Sequence, residues 1–141
     1  MNKNNYIRLA KKAASLQIKE LKKINRVFNK SFIEAVDLIL NCKGKVIFAG
    51  IGKSGLIAKK ISATFSSVGI PSFFCDPAQA LHGDMGQIEK RDILIIFSYS
   101  GNTSELSNML KYANRFRIKI IGVASKPESI LLKASDIKLV L

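Results

Sequence analysis

Five short apolar runs alternate with helix-like segments, and this alternation constrains the fold of the 141-residue chain more than any other feature. The runs are Lys45–Gly50, Ser72–Cys75, Ile93–Phe97, Lys119–Ala124 and Ile137–Leu141. Short continuous apolar runs fit strands covered on both faces, rather than the in–out alternation of a half-exposed sheet. Ser54–Val68, about Thr103–Arg115 and Pro127–Ala134 read as the intervening helices, with Pro127 near the first turn of the last. Strands alternating with helices imply right-handed crossovers, and so a parallel sheet with helices on both faces. In such sheets ligands gather at the carboxyl ends of the strands, so function is to be sought in the segments just after the runs.

The expected fold class is therefore α/β: a three-layer αβα sandwich around a parallel, doubly wound sheet of flavodoxin-like or Rossmann-like type, preceded by a helical segment. Ile7, Ala10, Ala14, Ile18, Leu21 and Ile24 recur at helical spacing, and Phe32, Ala35, Val36, Ile39 and Leu40 mark a second helix over Ser31–Leu40. Residues 1–30 hold nine Lys/Arg and one acid, and residues 31–141 hold fourteen and nine, so +8 of the net charge of +13 lies in the first segment. That excess is either a solvated helix face or a contact with nucleic acid or a membrane surface. No DNA-reading module or interleaved aromatic pattern accompanies it, so no nucleic-acid partner is expected. No apolar run approaches the ~20 residues needed to span a bilayer, and no apolar segment follows the basic start as in a secretory signal. A cytoplasmic protein without membrane contact is expected. Cys42 and Cys75 form no disulfide framework or metal knuckle and read as buried free thiols; no metal and no cofactor are expected.

After the first run, Gly50-Ile51-Gly52-Lys53-Ser54-Gly55 fits G-x-G-x-x-G and opens a helix, which can set backbone N–H groups beside an anion. Asp76 follows the second run, 21 residues after Gly55, so the pair mimics a dinucleotide fingerprint. A dinucleotide-binding domain is the rival reading. The chain leaves little room for a dehydrogenase apparatus, and the second anion-type loop has no role in a simple dinucleotide fold. It is not a phosphate loop of the Walker type, because Ile47 stands where the first glycine belongs. Lys53, at the strand end, either neutralises phosphate or a developing enediolate, or is a solvated surface lysine.

After the third run comes Phe97-Ser98-Tyr99-Ser100-Gly101-Asn102-Thr103-Ser104-Glu105. Short hydroxyls and backbone N–H groups at a helix N-terminus suit a phosphate. Simple N-capping needs only one hydroxyl, and here Ser98, Ser100, Thr103 and Ser104 stand together. Glu105, expected in the first helical turn, is either a dipole-matched acid or a base near the carbons next to the bound phosphate. The lone histidine, His82, lies in a glycine-flanked loop on the expected ligand side and is either structural or a ligand contact.

Gly52-Lys53-Ser54-Gly55, Pro71-Ser72-Phe73-Phe74, His82-Gly83-Asp84, Ser98-x-Ser100-Gly101-x-Thr103-Ser104-Glu105 and Lys126-Pro127-Glu128-Ser129 resemble, in order and spacing, the sugar isomerase (SIS) domain family. The resemblance is strongest to its arabinose-5-phosphate isomerases and covers about residues 31–141. It implies interconversion of D-arabinose 5-phosphate and D-ribulose 5-phosphate, supplying 3-deoxy-D-manno-octulosonate for lipopolysaccharide. It implies a homotetramer with active sites shared between subunits. The chemistry would be loss of the C2 proton of the open sugar to a base, a cis-enediolate, and reprotonation at C1. By position, the resemblance makes Lys53 and Glu105 catalytic and His82 a catalytic or substrate-contacting group. Gly69 and Ile70 fall where the family contacts the sugar phosphate, and Gly52, Ser54, Ser98, Ser100, Asn102 and Thr103 complete the expected binding set. Residues 108–117 match a helix that approaches ligand or a neighbouring subunit. Asp76 stands where many relatives carry a metal-contacting histidine, and Gln79 where many carry glutamate. The domains expected are a helical segment over 1–42 and a SIS domain over 43–141, incomplete because the chain stops inside an apolar strand. A non-catalytic sugar-phosphate-binding module or truncated remnant is the alternative.

Overall fold

The computed structural model describes residues 3–141. The element order is α1 (Lys3–Lys23), a 3-10 turn (Ile24–Val27), α2 (Lys30–Leu40), β1 (Val46–Gly50), α3 (Gly52–Ser67), β2 (Ser72–Cys75), β3 (Ile93–Phe97), α4 (Leu106–Phe116), β4 (Lys119–Ala124), α5 (Ile130–Ala134) and β5 (Ile137–Val140). All five apolar runs are strands. They form one sheet in the order β2-β1-β3-β4-β5, every pair parallel. This is the flavodoxin-like winding, whose switch point lies between β1 and β3.

The core divides by the side-chain period of two along each strand. Ile47, Ala49, Leu94, Ile96 and Ile120 face one way, against Leu106, Met109, Leu110 and Ala113 of α4 and Leu131 and Leu132 of α5. Val46, Phe48, Ile93, Ile95 and Ile121 face the other way, against Ala58, Ile61 and Phe65 of α3 and Ala35 and Ile39 of α2. Each large aliphatic side chain so buried contributes about 1.5–3 kcal/mol relative to leaving it exposed. Helices on both faces explain why the strands read as continuous apolar runs. The apolar stripe of α1 has no such cover: Ile7, Ile18 and Leu21 are 58%, 57% and 67% exposed. No helix of the described residues is long and apolar enough to cross a membrane.

Three sequence expectations shift. The helix expected from about Thr103 begins at Leu106, because Thr103 and Ser104 carbonyls accept tight i→i+3 bonds from Leu106 and Ser107 (3.2 and 3.0 Å). Glu105 therefore precedes the helix instead of lying in its first turn. The helix expected from Pro127 begins at Ile130, with Ser129 as its N-cap accepting from the Leu132 N–H, so Pro127 lies ahead of the first turn. Cys75 is a buried free thiol as expected, whereas Cys42 is only half-buried. Burial, together with Asp84 and Asp76 nearby, pushes the Cys75 thiol up to about 11, which makes it a poor nucleophile.

Candidate functional site

A crevice of about 330 Å³ opens at the switch point, lined by Ile51, Lys53, Ser54, Phe97, Ser98, Tyr99, Ser100 and Thr103. Its walls are the two turns singled out by the sequence, because β1 and β3 are adjacent and parallel, with Gly50 opposite Phe97. The chain thus brings Lys53, Ser54, Ser98, Ser100 and Thr103 into one concavity. Gly52 lies beside them in the β1–α3 turn at φ +57°.

Helix termini distinguish this region from the rest of the molecule. The N-terminus of α2 is capped by the Asn29 side chain, and that of α5 by Ser129. The two helices that begin at the crevice, α3 and α4, have no side-chain cap. The first N–H groups of a helix need partners from caps, water or a ligand. The hydroxyls of the β3–α4 loop are therefore not simple caps for α4. Among the described residues, the backbone N–H groups of Ser100, Thr103 and Ser104 also have no protein acceptor. The result is a positive, donor-rich concavity suited to an anion.

The hydroxyl loop is held rigidly. Ser98, only 5% exposed, shares a hydrogen bond of 2.9 Å with the Thr103 hydroxyl and accepts the Gly101 N–H at 3.1 Å. Ser100 Oγ accepts the Asn102 N–H at 3.3 Å. Ser125, at the end of β4, donates its hydroxyl (2.7 Å) and its N–H (2.9 Å) to the Tyr99 carbonyl. The Leu131 N–H reaches the Gly101 carbonyl at 3.0 Å, and the Ile130 N–H reaches Asn102 Oδ1 at 2.9 Å. Gly101 has φ +68°, and a Cβ there would lie 2.2 Å from Ser129 Oγ. Only glycine meets both conditions without strain.

Not every residue of the expected set gathers here. Asn102 turns its side-chain oxygen to α5, where it caps instead of facing the crevice. Glu105 lies in a neighbouring cleft of about 310 Å³ with Pro77, Ala78, Leu81, Ser104 and Asn108. Its own backbone N–H and the Ser104 hydroxyl hold its carboxyl below the usual carboxylate range, so it is ionised at neutral pH. His82 is exposed, in a short 3-10 turn over Ala80–His82 after β2, and lines neither cavity. Gly69 and Ile70 lie at the opposite, amino-terminal end of the sheet, next to Pro71, whose carbonyl accepts from the first residue of β1. Gly69 at φ +87° ends α3, and the Ile70 N–H returns to the Phe65 carbonyl at 3.0 Å, a helix-terminating pattern. Within one chain this pair is a helix cap and does not reach the crevice. Asp76, the acid of the dinucleotide-like pattern, has Oδ1 engaged by the Ala78 N–H at 2.9 Å. The sequence reading quoted Lys126-Pro127-Glu128-Ser129 only as part of the family resemblance, with no bracing role, and did not pick out Ser125. Its one local signal is position, since Ser125 directly follows a strand at the carboxyl edge of the sheet.

Residues 39–141 match the family model described as SIS domain. The chain is 42% identical over 136 residues to an uncharacterized protein, RP505, of Rickettsia prowazekii, covering 96% of this chain and 43% of that protein. It is 43% identical over 114 residues to the arabinose 5-phosphate isomerase GutQ of Escherichia coli K12, covering 81% of this chain and 36% of that one. The chain thus spans about two fifths of the length of the curated relatives it matches. Among solved structures, the c3406 protein of E. coli CFT073, in complex with arabinose 5-phosphate, superposes with a TM-score of 0.87 at 35% identity. That match covers 99% of this chain and 74% of that one.

Proposed function

The chain belongs to the SIS domain family, and on that premise we propose that it binds a pentose phosphate and serves the interconversion of D-arabinose 5-phosphate and D-ribulose 5-phosphate. The observation that carries the reading is the crevice between two helices without side-chain caps, rimmed by Ser98, Ser100 and Thr103. Ser100 and Thr103 hydroxyls, with the N–H groups of Ser100, Thr103 and Ser104, would donate to the phosphate oxygens. Lys53, on the facing turn, would neutralise the charge of the phosphate or of an enediolate oxygen. Glu105, kept ionised by Ser104 and its own N–H, would take the C2 proton of the open aldose and return it at C1 of the cis-enediolate. The relatives named arabinose 5-phosphate isomerase and the solved complex of c3406 support this choice of substrate. By resemblance we extend the proposal to cytoplasmic self-association, to supply of the lipopolysaccharide sugar precursor, and to a SIS unit over 43–141 that follows a helical segment over 1–42.

One observation favours the second reading, a sugar-phosphate-binding module that does not turn over by itself. Lys53 and Glu105 line separate cavities in the single chain, and His82 and the Gly69–Ile70 pair lie elsewhere. Thermal-shift titration separates the readings when paired with an assay of ketose formation. A ligand at 100 times its Kd stabilises the native state by about 2.7 kcal/mol. Arabinose 5-phosphate should raise Tm in the wild type and raise it less in Ser100→Ala. Stabilisation with turnover supports the isomerase, and stabilisation without turnover supports the module. No shift with any pentose phosphate, or an equal shift with NAD, would sink both.

A further inference from the structure

We propose that Ser125, just past the end of β4, is a positioning residue for the crevice: by fixing the Tyr99 carbonyl it aims the Ser100 N–H at the bound anion. The inference rests on the phosphate reading of the crevice given above. It adds a residue outside the crevice on which phosphate affinity depends.

The Tyr99 carbonyl accepts two bonds from one residue, the Ser125 hydroxyl at 2.7 Å and the Ser125 N–H at 2.9 Å. That carbonyl and the Ser100 N–H belong to the same peptide unit. In a planar trans unit the C=O and the N–H point in opposite directions. A carbonyl held toward β4 therefore turns the Ser100 N–H away from β4. In the sheet β3 lies between β4 and β1. Away from β4 is thus toward the β1–α3 turn, where Lys53 and Ser54 form the other wall of the crevice. Among the described residues the Ser100 N–H has no protein acceptor, which leaves this donor to water or a ligand.

Ser125 acts from outside the site. It does not line the crevice; it lines a separate cavity of about 410 Å³ that Tyr99 also borders. The later part of the loop has ties of its own, from the Leu131 N–H to the Gly101 carbonyl at 3.0 Å and from the Ile130 N–H to Asn102 Oδ1 at 2.9 Å. Those ties hold Gly101 and Asn102 and leave the Tyr99–Ser100 unit to Ser125. A single bond lets a peptide unit pivot, and a second donor arriving at another angle stops it. A hydrogen bond to an anion is strong and depends steeply on its angle, so a misaimed N–H shows as lost affinity.

The test is an NMR titration of the 141-residue chain with arabinose 5-phosphate and, separately, with inorganic phosphate, following the Ser100 amide. In the wild type both ligands should shift that amide. Ser125→Ala should weaken both by the same factor, roughly 10-fold, and shrink the Ser100 shift at saturation. Ser125→Thr keeps the hydroxyl and should restore affinity and shift together. Ser135→Ala is the control for stability alone. It removes a hydroxyl-to-carbonyl bond of the same 2.7 Å length, to Leu131, ahead of β5 and so at the opposite end of the sheet. It should lower Tm comparably and leave both affinities unchanged. A wild type that binds neither ligand overturns the phosphate reading and this inference with it. A wild type that binds, with equal affinity in folded Ser125→Ala, overturns this inference alone. Equal weakening in Ser125→Ala and Ser135→Ala overturns it in favour of a general loss of stability. Weakening for arabinose 5-phosphate without weakening for inorganic phosphate overturns it in favour of an effect on the sugar.

Discussion

The two turns that face each other across the crevice reach a similar end by different means. The β1–α3 turn relies on backbone contact: a Cβ on Gly55 would lie 2.6 Å from the Gly50 carbonyl oxygen, so strand and helix meet without side chains between them. Its one charged group, Lys53, is exposed and takes part in no ion pair of the described residues. The β3–α4 loop is instead cross-linked by side chains, from Ser98 to Thr103 within the loop, and to the neighbouring β4–α5 segment by the Ser125 hydroxyl on the Tyr99 carbonyl and by Asn102 Oδ1 on the Ile130 N–H. The first turn offers a flexible charge and the second a fixed set of donors. On the proposed function, this difference would give recognition of the phosphate's shape to the hydroxyl loop and adjustable neutralisation to Lys53.

Substitutions can break this contrast, and the largest effect is expected at Gly101. Gly101→Ala forces a side chain into the left-handed region and against Ser129, and should destabilise the fold by about 2–4 kcal/mol in urea titration. Adding Ser129→Gly should restore part of that loss. A stability change within error would show that the loop is not clamped. Next come the crevice hydroxyls. Ser100→Ala and Thr103→Ala should each lower affinity for arabinose 5-phosphate by roughly 10- to 100-fold, the range for a hydrogen bond to a charged group, with little change in Tm for Ser100→Ala.

Smaller effects sharpen the comparison. Ser125→Ala removes the 2.7 Å bond to the Tyr99 carbonyl and should cost about 1 kcal/mol of stability, measured by denaturant midpoint. Ser125→Thr keeps the hydroxyl and should recover it. Lys53→Ala, on the uncross-linked turn, should weaken phosphosugar binding several-fold in low salt, fade in high salt and leave Tm unchanged. Salt-independent weakening would show that Lys53 is more than a mobile charge. The smallest effect belongs to a site remote from both turns. Burial raises the Asp136 carboxyl, but the Lys119 ammonium and the Ile120 N–H outweigh it and hold it below its ordinary 3.8. A lowered folded pKa means stability present above the ordinary value and lost as pH falls through the folded one. Asp136→Asn should flatten that acid limb of the melting curve without altering ligand binding.

Some of this was fixed by the chain alone. A strand buried on both faces must be apolar wherever it is covered, so Val46–Gly50, Ile93–Phe97 and the apolar stretch after Lys119 in β4 announced a parallel, two-sided sheet, and the glycine and hydroxyl turns were placed correctly at its carboxyl edge. Local chemistry of that kind depends on neighbours in sequence, and it is legible there. The start of α4 was not, because Thr103 is held out of the helix by a hydroxyl five residues away. Nor were the roles of Asn102, Ser125 and Ser129, since each is set by a partner 26 to 28 residues distant. Gly69 and Ile70, grouped with the site by resemblance, were sent to the far end of the sheet by the length of α3. Periodicity gave α1 an apolar stripe, but whether any part of its own chain would cover that stripe depended on the path of the fold. The sequence determines which atoms are apolar, charged or able to donate; only the tertiary structure decides which of them meet.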